Sequence, residues 1–71
     1  MNEDSCDLEA YAQALINLNE VRSEYVDNPS TENCNSYRFA LQTYISIGEN
    51  CDQYESFVEA RRRALNNLSC D

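Results

Sequence analysis

NPSTENCNSYRFALQTY, residues 28–44, carries a helix stop, a helix start, a cysteine and the first apolar turns of a second helix. The residue before a proline avoids helical angles, and proline itself suits the first turn of a new helix. The run Asp27-Asn28-Pro29-Ser30 therefore ends one helix and begins another, with either Asn28 or Ser30 able to cap it. Beyond the turn, Cys34, Tyr37, Leu41, Tyr44 and Ile45 recur at helical spacing, with Ala40 beside them. This pattern predicts a helix over about 31–47 with one inner face. Gly48, the single glycine, is expected to close that helix in a left-handed conformation.

Upstream, Leu8, Tyr11, Leu15, Leu18, Arg22 and Tyr25 fall at three- and four-residue steps, and Ala12, Val21 and Val26 widen the stripe. The spacing predicts a helix over 6–26, roughly 30 Å long at 1.5 Å per residue. Residues 1–5 are expected to fray. Asp4 or Ser5 can cap this helix, and Asp7 and Glu9 suit its first turn. Downstream, Asn50 with Gln53, or Asp52 with Glu55, offers a capping box. Tyr54, Phe57, Val58, Arg61, Ala64, Leu65 and Leu68 then form the stripe of a third helix over about 51–69. No strand pattern or linker interrupts the chain. The expected architecture is one all-α domain, 1–71, an up-down-up antiparallel three-helix bundle.

A chain of 71 residues is marginal on packing alone and usually needs a staple. There are four cysteines and no histidine. Cys6, Cys34, Cys51 and Cys70 stand too far apart for the close pairs of a zinc site, so disulfides are the expected staple. In an up-down-up path, Cys6 and Cys51 lie at one end, Cys34 and Cys70 at the other. A disulfide needs Cα atoms within about 7 Å. Pairing Cys6 with Cys34, or Cys34 with Cys51, would have to span roughly 25 Å of helix. Only Cys6–Cys51 with Cys34–Cys70 fits. Such bonds belong in an oxidising compartment: extracellular, periplasmic or cell surface.

Thirteen acids stand against five bases, a net charge of −8, and every base is an arginine. Such a chain repels phosphate backbones and anionic membranes, so neither nucleic acid nor a membrane surface is expected as a partner. No apolar run approaches the length of a membrane span, so no direct insertion is expected. Met1 is followed by polar residues and is read as the start codon of a trimmed chain, with any export signal lying outside it.

Candidate sites are few. Arg61-Arg62-Arg63 is the basic cluster, but consecutive helical residues fan around the axis, and Glu59 four residues before Arg63 makes a favourable pair. Arg61 is expected along the core edge with its head in water. The five tyrosines fall mostly on inner faces, where a ring is buried and its hydroxyl stays wet. Tyr25, Arg62 and Arg63 are the residues expected to contact a protein partner. The oxygen-rich run Asp27–Glu32 lacks the spacing and glycine of a calcium loop, and capping explains it better. No metal or cofactor is expected. With no histidine, bridged cysteines and a thin bundle offering no cleft, the chain is read as non-catalytic. Asn67-Leu68-Ser69 is a glycosylation sequon if the source is a eukaryote.

Cys34-Asn-Ser-Tyr37 echoes Cys51-Asp-Gln-Tyr54, each opening a helix with a cysteine and then a tyrosine. The longer run Asn28-Pro29-Ser30-Thr31-Glu32-Asn33-Cys34, continued by Tyr37, Ala40-Leu41 and Tyr44-Ile45, resembles a module of secreted and lipid-anchored Bacteroidetes proteins. In that module a closing cysteine follows the last helix, a place Cys70 matches, while Ser30 stands where threonine is usual. The resemblance covers about half the chain. It implies an exported, non-catalytic helical domain that can be lipid-anchored through an upstream segment, and it carries no functional residues to transfer. The expected function is a structural or protein-interaction module on a secreted or cell-surface protein, expected to be monomeric. The alternative is a small secreted ligand, inhibitor or effector binding one partner through a helix face.

Overall fold

The structure, a computed structural model, describes residues 6–70. Among these residues the chain forms three α-helices, α1 (Leu8–Asp27), α2 (Thr31–Gly48) and α3 (Glu55–Asn67), with a short 3-10 turn, Asp52–Tyr54, before α3. The all-α, three-helix architecture is as the periodicity predicts. So are both disulfides: Cys6–Cys51 with a Cα separation of 4.8 Å, and Cys34–Cys70 with 5.5 Å. They close opposite ends of the rod, which its alternating helix direction requires.

The helix ends depart from expectation for local reasons. The cap of α1 is Asp7, whose side chain accepts from the Ala10 N–H at 3.1 Å. A capping residue is extended, so Cys6 is left outside the helix and free to turn toward Cys51. Asp4 and Ser5, the expected caps, lie outside the described residues, as does the expected frayed end. At the turn into α2, Ser30 is the cap, accepting from the Asn33 N–H at 3.1 Å. Asn33 then reaches back: its Nδ2 donates to the Asn28 carbonyl at 2.8 Å and to the Glu24 carbonyl at 3.4 Å. Each of these carbonyls also accepts a backbone N–H, Glu24 from Asn28 at 2.9 Å and Asn28 from Ser30 at 2.8 Å, so Asn33 adds a second bond to both and ties α2 to the end of α1.

Neither expected box opens α3. The Cys51 N–H donates to the Gly48 carbonyl at 2.8 Å and the Tyr54 N–H to the Cys51 carbonyl at 2.9 Å. This tight winding makes a 3-10 turn, and neither it nor α3 has a side-chain cap. The helix stops at Asn67, two residues short of expectation, because Leu68 turns extended and carries the chain toward the Cys70 bond.

Gly48 is not left-handed; no glycine here has a positive φ. It is the last residue of α2 and is buried against other helices. A Cβ there would stand 2.6 Å from Val58 Cγ2 and 3.3 Å from Tyr11 Cε1. The glycine marks a point where all three helices crowd together, which no propensity argument can see.

The core is Tyr11, Ala14 and Leu18 from α1, Tyr37, Ala40, Leu41, Tyr44 and Ile45 from α2, then Cys51 and Val58. Ala14 and Ala40 are small enough to let α1 and α2 approach. α2 is the central helix: α1 packs along it and α3 packs on it, whereas α1 and α3 barely meet. As a result Leu8 and Phe57, expected on inner faces, are 53% and 60% exposed, and Val26 is exposed beyond the end of the core.

Candidate functional site

Because α1 and α3 both lean on α2 without closing on each other, a groove of about 500 Å³ runs between them. Leu8, Tyr11, Ala12 and Leu15 line it from α1. Phe57, Ala60 and Arg61 line it from α3, with Tyr54 at the 3-10 turn and Tyr44 of α2 between the two walls. The residues at steps of three and four on α1 place one helical stripe along about 10 Å of groove.

Its lower part is aromatic. Tyr11 and Tyr54 stack with centroids 4.3 Å apart and an interplanar angle of 6°. Tyr54 in turn meets Phe57 at 6.3 Å and 50°. Tyr11 and Tyr44 lie 5.2 Å apart and share a buried hydrogen bond of 2.6 Å between hydroxyls. Burial, first, and then the bond to Tyr44 push the Tyr11 phenol well above its ordinary range; the nearby Arg61 pulls weakly the other way. Among the described residues no carboxylate lines the groove, although the chain is strongly acidic. Its ionisable groups among the described residues are three phenols and one guanidinium.

The thin bundle was expected to offer no cleft; it has this one. The signal was present in the sequence as Leu8, Tyr54 and Phe57 on apolar stripes, read there as inner faces, with Arg61 at the core edge. That reading assumed helix 3 would seal against helix 1.

The expected contact residues lie elsewhere and do not converge. Tyr25 is half-buried and stacks on Tyr37 with centroids 5.5 Å apart. Arg62 reaches Glu49 at 3.8 Å and Glu59 at 3.5 Å. Tyr37 and Glu49 mark opposite parts of α2, about 18 Å apart along its axis. Glu59 thus pairs with Arg62, three residues on, and not with Arg63 as expected. Arg62 wins because it also reaches the Glu49 carboxylate at the end of α2, so one guanidinium serves two acids. Arg63 is exposed. In the Asp27–Glu32 run, Asn28 and Ser30 are engaged in helix termination and capping. No helix among the described residues is long and apolar enough to cross a membrane.

No family model matches the chain, and neither a curated protein nor a solved structure matches it.

Proposed function

We propose that this chain is a non-catalytic, exported helical module with a structural or protein-interaction role on a secreted or cell-surface protein. The observation that carries it is the pair of disulfides closing both ends of one rod, at Cα separations of 4.8 and 5.5 Å. Such bonds persist where thiols are not kept reduced, outside the cytosol. They also hold three helices in one arrangement without a large core, which suits a domain that must present a surface. The phenol-and-guanidinium groove supports binding over catalysis, since no carboxylate, histidine or free thiol lines it among the described residues. The resemblance of the Asn28–Ile45 run, with its closing Cys70, to Cys-bracketed helical modules of secreted and lipid-anchored Bacteroidetes proteins points the same way. Tyr25, Arg62 and Arg63 are the polar and aromatic contacts offered to a protein partner.

The test is capture of a partner from envelope or extracellular fractions by the oxidised domain, with the reduced domain as control. The reading expects a protein retained by the oxidised form alone and weakened by Arg62→Glu with Arg63→Glu. Equal retention by the reduced chain, or turnover of a substrate by the oxidised one, would sink it. The alternative, a small secreted ligand or inhibitor, draws on the exposed apolar Leu8, Phe57 and Phe39. The full gene separates the two: further domains or a lipoprotein signal favour the module, a plain signal peptide alone favours the ligand.

A further inference from the structure

We propose that the groove between α1 and α3 binds a small apolar carboxylic acid of the medium-chain fatty-acid class, with Arg61 receiving the carboxylate. The inference does not rest on the module reading, and either can fail alone.

Size comes first. A groove of about 500 Å³ lies within the range of small-molecule sites, and its apolar walls, Leu8, Leu15 and Phe57, suit a hydrocarbon chain. Each methylene withdrawn from water there is worth roughly 0.8 kcal/mol.

The polar groups decide the head. Every charged or strongly polar group lining the groove is a donor or carries one. Arg62, the next residue, is held by Glu49 and Glu59. Arg61 has no ion pair among the described residues, and it is half-buried. The Tyr11 and Tyr44 hydroxyls own two hydrogens but share one bond, so one phenolic hydrogen is left over. A guanidinium and a spare phenol in an apolar setting, with no carboxylate among the described residues lining the groove, are matched by an anionic oxygen. A planar guanidinium takes a carboxylate with two parallel bonds, which an alcohol cannot supply.

The chain's overall charge makes the inference sharp. A net charge of −8 attracts cationic amphiphiles without regard to site and repels anionic ones. Preference for the anion must therefore come from the groove itself.

The experiment titrates the oxidised protein with decanoate, 1-decanol and decyltrimethylammonium, below micelle formation, and follows the amide signals by NMR. Decanoate is expected to saturate and to move Tyr11, Leu15, Phe57 and Ala60. Decyltrimethylammonium is expected to bind about tenfold more weakly, the scale of a charge-assisted hydrogen bond. Arg61→Gln should weaken decanoate by about the same factor and leave 1-decanol unchanged, while Arg62→Gln leaves decanoate unchanged. Ala60→Trp, which fills the groove from an exposed position, should abolish decanoate binding with the spectrum still dispersed. Non-saturating decanoate, an equal or tighter cationic probe, or indifference to Arg61→Gln overturns the proposal. Groove shifts that appear on raising protein concentration alone would assign the groove to a second copy, and also overturn it. The comparison of three probes on the unaltered protein stands even where a variant fails to fold.

Discussion

Tyr11 of α1 and Tyr44 of α2 meet hydroxyl to hydroxyl at 2.6 Å, and this buried bond joins two helices at the floor of the groove. Tyr44 is 1% exposed and Tyr11 6%, so neither hydroxyl can readily turn to bulk water instead. Removing one oxygen strands the other. Tyr11→Phe and Tyr44→Phe should each cost about 1–3 kcal/mol, and the double variant far less than their sum. Urea unfolding of all four proteins gives the cycle; simple additivity would show that the pair is not coupled.

The same burial makes stability depend on alkali. The Tyr11 phenol is raised in the folded state above the ordinary value of about 10 that it keeps when unfolded. Below that value both states hold the proton and stability is at its full level. Above it the unfolded chain loses the proton first, so the folded state binds more protons and stability falls as pH rises. Thermal unfolding from pH 8 upward should show this decline beginning near pH 10, and Tyr11→Phe should flatten it.

The two disulfides close loops with sequence separations of 45 and 36. The chain-entropy relation assigns each about 4 kcal/mol, comparable to the whole stability of a domain this small. Replacing Cys6 with Cys51, or Cys34 with Cys70, by alanine pairs should lower the unfolding free energy by about 2–5 kcal/mol. Removing both should abolish cooperative melting, as followed by circular dichroism.

Gly48 is the point of closest approach. Its added Cβ would strike a methyl of Val58, a β-branched side chain with little freedom to move. Gly48→Ala should destabilise by about 1–3 kcal/mol despite alanine's higher helix propensity. Val58→Ala should relieve part of that loss in the double variant. A glycine needed only as a helix stop would respond to neither change in this way.

Ser30 and Asn33 hold the first turn from both sides. Ser30→Ala removes a capping acceptor and should cost about 1 kcal/mol. Asn33→Ala should cost a similar amount through the two bonds it loses to the Glu24 and Asn28 carbonyls, with chemical denaturation as the readout.

The chain's own order of residues was enough for the helices, their alternating direction and the pairing of Cys6 with Cys51 and Cys34 with Cys70. Periodicity along the chain, a proline-bearing turn and the rigid length of a helix are properties that sequence carries directly. Where a helix ends is less legible: Asp7, Cys51 and Leu68 leave helical geometry because caps, a 3-10 turn and sulfur positions compete there. Two things belonged to tertiary structure alone. Gly48 is small because Val58 and Tyr11 arrive from distant parts of the chain, and Leu8 and Phe57 stay open because α3 leans on α2 without reaching α1. An apolar stripe states which face seeks cover; how far the covering helix comes is set by side chains that meet only once the chain has folded.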